Sequence, residues 1–285
     1  MTSELVLPPE LERNIFETAA VRHPRSIPTL LRVARRCLVW IGPLLYRVVR
    51  GSNCSLANAT LNAVRFKPAF LHDAVHHLSL DTGCPWSKDQ AREVLAACTG
   101  IVDILIQSSY TTPALLPVLS AMRLQRLSAS LEYLFGSFAA IDLTHPLFAS
   151  LTHLDAFDET EKGEDNTICA QIPLLPALTH LCLNSPVAWA QVETLLAECP
   201  RLRVLAFVVS GPHITQWVQN GSIRDARLVV TAYNHNHWDY WRHWEIGAAG
   251  GRDVWAWADE FVAKKRSGSI EGLSTSTTIR NASQS

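Results

Sequence analysis

No apolar run in this 285-residue sequence comes near the roughly 20 residues that a bilayer requires. The longest stretches, Val204–Val209 and Cys37–Leu45, are short or interrupted, so no membrane span or membrane partner is expected. Met1–Glu12 has no basic head followed by an apolar stretch and does not read as a secretory signal. An excess of one charge is missing too: 25 basic and 26 acidic residues leave a formal net charge of −1. A chain whose task is coating nucleic acid would show a basic surplus, so no nucleic-acid partner is expected. The seven cysteines are odd in number and never form a CxxC pair, which favours free thiols and a cytoplasmic or nuclear setting. Catalytic signatures are also lacking. There is no HExxH, no GxSxG, no phosphate-cradling glycine loop and no dinucleotide fingerprint.

His235 and His237, with Asp239 and His243 nearby, invite a zinc site, yet no cysteine partner stands at zinc-finger spacing. His76 and His77 alternate on a strand, so both cannot face one site. Cys84 or Cys98 would be reactive only beside a base. The reading is therefore no enzyme, no cofactor and no metal.

What the sequence has is apolar content, 48 % against 18 % charged, and a period. The pattern apolar-x-x-apolar-x-apolar reads Val75-Leu78-Leu80, Ile101-Ile104-Ile106, Leu124-Leu127-Ala129, Leu151-Leu154-Ala156, Leu178-Leu181-Leu183 and Leu202-Leu205-Phe207. Its first positions lie 26, 23, 27, 27 and 24 residues apart, and Leu228–Tyr233 reads as a further strand. Alternate side chains of a strand share a face, and helices between the strands can cover it. Ser87–Cys98 carries a capping serine and an apolar stripe at Ala91, Val94, Leu95 and Cys98. Thr112–Met122 and Trp189–Cys199 also read as helices. Strand–helix–strand units of this length favour a parallel sheet. The period and strand core resemble a leucine-rich repeat, which implies a stacked solenoid over residues 50–233.

The first fifty residues form another unit. Pro9 suits a first helical turn, and Leu11, Ile15 and Ala19 share a face with Phe16 beside it. Ser26-Ile27-Pro28 reads as the start of a second helix with a stripe at Leu30, Val33, Ala34 and Cys37. A third helix is expected around Leu38–Leu45, limited by Pro43, and Tyr46–Val49 reads as a first strand. Helices this short cannot bury their apolar faces alone. "LPPELERNIF" followed by "IPTLLRVARRCLVWIGPLLYRVV" resembles an F-box-like domain of the large fungal families, over residues 5–49. The resemblance implies docking to a Skp-type adaptor and through it to a cullin-based ubiquitin ligase. Leu7, Pro8, Leu11, Ile15 and Phe16 would form the first part of the adaptor surface, and Leu30, Val33 and Trp40 the second.

Five of the nine tryptophans lie in Trp238–Trp257, with Trp238, Trp241 and Trp244 on one helical face. Asp253–Arg266 reads as a last helix, acid at its start, Lys264-Lys265-Arg266 at its end and Gly268 as its stop. Residues 234–266 are thus expected to be a helical cap over the last strand, and 267–285 a disordered tail. The segment Asp155–Asp165, with six acids and one lysine, reads as a solvated loop, opposite in charge to the N-terminal unit with its eight Arg and four Glu. The expectation is an α/β chain: a three-helix F-box-like module, a leucine-rich-repeat-like solenoid and a helical cap. Its function would be recognition of an unknown protein target for a ubiquitin ligase. The alternative is a repeat protein without ligase connection, its first helices acting only as a cap.

Overall fold

The computed structural model describes residues 7–158, 167–209, 217, 223–232 and 237–270. Among these, strands β1 (Val48–Arg50), β2 (His77–Leu80), β3 (Asp103–Ile106), β4 (Arg126–Ala129), β5 (His153–Ala156), β6 (His180–Leu183), β7 (Val204–Val209) and β8 (Leu228–Ala232) form one parallel sheet in sequence order. The helices are α1 (Pro9–Arg22), α2 (Ile27–Leu30), α3 (Arg35–Ile41), α4 (Cys54–Phe66), α5 (Pro68–Ala74) and α6 (Lys88–Ala97). They continue as α7 (Leu116–Ser120), α8 (Leu131–Phe135), α9 (Thr167–Gln171), α10 (Trp189–Glu198), α11 (His237–Ala248) and α12 (Val254–Arg266). No described helix is long and apolar enough to cross a membrane.

The sheet register follows the sequence period. Val49, Leu78, Ile104, Leu127, Leu154, Leu181, Leu205 and Leu228 stand side by side across the strands, all fully or almost fully buried. With Leu80, Ile106, Ala129, Ala156, Leu183, Phe207 and Val230 they form one face of the sheet and the centre of the main core. Helical residues between the strands complete that core, among them Ala57, Leu71, Leu95, Leu119, Leu134, Ile172 and Leu195. Local signals explain where the covering helices start. Ser87 and Gln90 cap α6 reciprocally: the Ser87 hydroxyl accepts from the Gln90 backbone N–H, and the Gln90 side chain accepts from that of Ser87 (3.2 and 2.9 Å). The Thr112–Met122 segment forms a 3-10 turn at Pro113–Leu115 and then α7.

The second face is different. Two lateral rows run across it: His77, Asp103, Arg126, His153, His180 and Val204, and then Ser79, Leu105, Ser128, Asp155, Cys182 and Ala206. These rows are largely polar; most of their residues are buried, and His77, Arg126 and His153 are half-buried. Helix α12 packs on β7 and β8, and α11 lies against α12 and β1. Glu245 of α11 reaches Arg50 on β1, and Lys265 of α12 reaches the Leu228 carbonyl on β8. A face this polar needs polar partners, and the two helices supply several of them, Trp244, Glu245 and Asp259 among them.

The N-terminal helices have a small core of their own, with Ala20, Ile27 and Ile41 buried among Phe16, Leu30, Leu31, Trp40 and Leu44. Here the structure differs from the sequence reading. The helix expected from Ile27 through Cys37 is broken: α2 lasts one turn, Ala34 is extended at φ −158°, and α3 starts at Arg35. No glycine or proline marks the break. It re-aims α3 so that Trp40 meets Phe16 of α1 and Arg36 meets Glu12 (2.9 Å), which a continuous helix would forgo. Pro43 limits α3 as expected and opens the 3-10 turn Gly42–Tyr46. The expected tail from residue 271 onward lies outside the described residues.

Candidate functional site

The exposed side of α1 is the surface most in need of a partner. Pro8 stands at its N-cap and Pro9 starts it, where a missing N–H costs nothing. Leu7, Leu11 and Ile15, four residues apart, are 51 %, 52 % and 56 % exposed. Glu12, Phe16 and Ala20 turn toward α3 instead. Val33 is 60 % exposed on the turn before α3, and Leu38 and Val39 are open on α3 itself. Of the residues expected to hold an adaptor, Leu7, Pro8, Leu11, Ile15 and Val33 are thus exposed, whereas Phe16, Leu30 and Trp40 are half-buried in the small core. The sequence reading missed Leu38 and Val39. Two adjacent apolar residues on a short helix were the available signal, but the helix boundary had to be right to place them.

Helix α1 is polar apart from this stripe. Arg13 pairs with Glu17 one turn on (2.7 Å), and Arg36 and Glu12 tie α1 to α3. These exposed pairs contribute little to stability, and the geometry of α1 rests on the buried Ala20 and Ile41.

The second candidate is the buried seam between the sheet and the C-terminal helices. Most of the polar residues find a partner there, although among the described residues the buried Ser79 hydroxyl has none. Arg50 bridges Asp81 (3.1 Å) and Glu245 (3.0 Å), and Asp103 accepts from the Trp244 indole N–H (3.1 Å). Arg126 pairs with Asp253 (2.7 Å), and His180 meets Asp259 (3.3 Å). His153 and His180 stack at 4.1 Å, with the Trp255 ring against both at 5.3 and 5.6 Å. Asp155 accepts from the Tyr240 hydroxyl and from the Asn184 amide (3.0 Å).

Burial governs the titration of this seam. It lowers His153 to about 3, helped by the neighbouring His180 and Arg126. It lowers His180 as well, against the opposing pull of Asp259. It raises Asp155 to about 6 despite the hydrogen bonds from Tyr240, Cys182 and Asn184 that favour the anion. Tyr240 is pushed far above its ordinary value, again mainly by burial. The two histidines are therefore neutral at physiological pH and serve as packing surface.

Cys84 and Cys98 are buried, and burial raises both thiols, Cys98 to about 12, so neither is an activated nucleophile. His77 meets Asp103 at 3.2 Å, while the buried Nδ1 of His76 has no hydrogen-bond partner, and burial lowers that imidazole. Among the described residues no group of His, Cys, Asp and Glu could hold a metal ion. His235 and the side chains of His237 and Asp239 lie outside the description, and His243 is on α11.

The acidic segment is corrected at its start. Asp155 is a buried strand residue. Asp158 is buried and accepts from the Ser130 hydroxyl (2.7 Å) and the Leu131 and Glu132 amides (2.8 and 2.9 Å), capping α8. Residues 159–166 lie outside the described residues. Comparison of the chain with protein-family models and with curated proteins found no match.

Proposed function

We propose that the chain is a non-enzymatic substrate-recognition subunit of a cullin-based ubiquitin ligase. In this reading residues 5–49 are an F-box-like module that binds a Skp-type adaptor. Residues 50–233 are a leucine-rich-repeat-like solenoid that presents a protein target. The observation that carries the reading is the stripe of Leu7, Leu11 and Ile15 on α1, half exposed while the other side of the same helix is satisfied by its own small core. A helix that served only as a cap would turn these residues inward. Exposed contiguous apolar side chains on a soluble chain mark partner surfaces, and a few such anchors supply most of the binding energy. The sequential parallel strands, in register at 23- to 29-residue steps, support the solenoid part of the proposal.

One observation favours the second reading, a repeat protein without ligase connection. Phe16, Leu30 and Trp40 are half-buried within the module, which narrows the adaptor surface to Leu7, Pro8, Leu11, Ile15 and Val33. The target surface also shifts. With α11 and α12 over the second face of the sheet, a target would meet the outer side of those helices or the helices on the opposite side. Purification of the tagged chain with a Skp-type adaptor tests the proposal. Binding at micromolar concentration that is lost in both Leu11→Asp and Ile15→Asp supports it, and absence of binding by the wild type removes it.

A further inference from the structure

Between α12 and the second face of the sheet, beside β6 to β8, lies a cavity of about 340 Å³. That volume is within the range of small-molecule sites. Its walls are mostly apolar, with Val208, Val229, Val254 and Phe261 facing it. One side is polar: Asp155 and Tyr240 line it next to the Trp255 ring.

The charge of Asp155 is the unusual feature. Its side chain is enclosed, and its hydrogen-bond donors are the Tyr240 hydroxyl, the Asn184 amide and the Cys182 thiol, all neutral. Among the described residues no cation forms an ion pair with it. Lys264, the cation that lines the cavity, is held by Glu260 (2.8 Å). Two other cations nearby are placed on rings rather than on Asp155: Arg252 over Trp257 at 4.2 Å and Lys265 over Phe261 at 5.5 Å. An enclosed carboxylate with only neutral partners is costly, and the cost falls when a cation is bound beside it. Aromatic walls next to a carboxylate are also the surroundings in which an ammonium group is stabilised.

We propose that this cavity binds a small hydrophobic amine, its ammonium group set against Asp155 and the Tyr240 and Trp255 rings, its apolar body against Val208, Val229 and Phe261. Burial holds Asp155 at about 6, so it is mostly ionised at neutral pH and ready for such a partner. This inference does not depend on adaptor binding, and each can fail alone.

The test uses three probes with one apolar body: phenylbutylamine, phenylbutanol and phenylbutyrate, titrated calorimetrically into the full chain near neutral pH. The amine is expected to bind at least about tenfold tighter than the alcohol, with the carboxylate weaker than both. Asp155→Asn should erase the preference for the amine and leave the alcohol unchanged. Val208→Trp, which adds bulk to the cavity wall, should weaken both and serves as the deciding variant if Asp155→Asn does not fold. Equal affinity for amine and alcohol, an amine preference that survives Asp155→Asn, undiminished binding to Val208→Trp, or no binding of any probe would each overturn the proposal.

Discussion

His153 and Asp155 sit on the same face of β5 and titrate in opposite directions. Folded His153 stays neutral down to about 3, whereas an unfolded histidine protonates near 6.5. Its contribution to stability is therefore full above pH 6.5 and is lost as pH falls toward 3. Folded Asp155 keeps its proton up to about 6, whereas an unfolded aspartate releases it near 3.8. Its contribution is full below pH 3.8 and is lost as pH rises through 6. Between these limits the two slopes, each up to about 1.4 kcal/mol per pH unit, offset one another. Asp155→Asn should leave the histidine slope unopposed, and thermal unfolding should then fall more steeply than in the wild type between about pH 6 and 4.5. His153→Gln should do the reverse. A second prediction belongs to the surface. Leu11→Asp and Ile15→Asp should change stability by no more than about 0.5 kcal/mol in denaturant titration, because both side chains are more than half exposed. A larger loss would mean that α1 is packed against something within the chain.

At the scale of elements, the C-terminal helices show what sequence could and could not convey. Asp253 caps α12 by accepting from the Ala256 N–H (2.8 Å), three basic residues end it, and Gly268 follows at φ +71°. Each is a local signal, and each was legible. The placement of α11 and α12 across the sheet was not, because it rests on partners far apart in the chain, such as Arg50 with Glu245 and Arg126 with Asp253. The break before α3 was hidden for a similar reason: packing on α1 decides it, with no turn residue to announce it. The candidate docking surface was half legible. The four-residue spacing of Leu11, Ile15 and Ala19 placed Leu11 and Ile15 on one face, but only the folded structure shows that Phe16 and Trp40 meet (6.3 Å). Gly247 offers a test of how the two C-terminal helices are joined. A Cβ there would stand 2.4 Å from the Asp253 Cβ, so the cap of α12 must shift to admit it. Gly247→Ala should cost about 1–3 kcal/mol. It should also speed hydrogen exchange in Val254–Arg266 more than in β3 and β4. Uniform exchange across the chain would contradict this close approach.

For the whole molecule, the apolar row from Val49 to Leu228 is the organising feature, and its period was readable because one such residue recurs in every strand. Leu181 lies in this row, fully buried. Leu181→Ala should destabilise the chain by about 2–5 kcal/mol, measured by denaturant titration, since neighbours on both strands limit collapse into the cavity. The sheet's opposite face is largely covered by the chain's own helices, and among the described residues most of the exposed large apolar side chains lie in the N-terminal helices. The account's central claim is that this end docks a Skp-type adaptor. Calorimetric titration of the purified chain with such an adaptor tests it most directly. The account predicts a one-to-one complex of micromolar affinity or better, weakened at least about tenfold by Leu11→Asp with the fold intact. No heat of binding from a folded wild-type chain, or equal affinity in the variant, would contradict it.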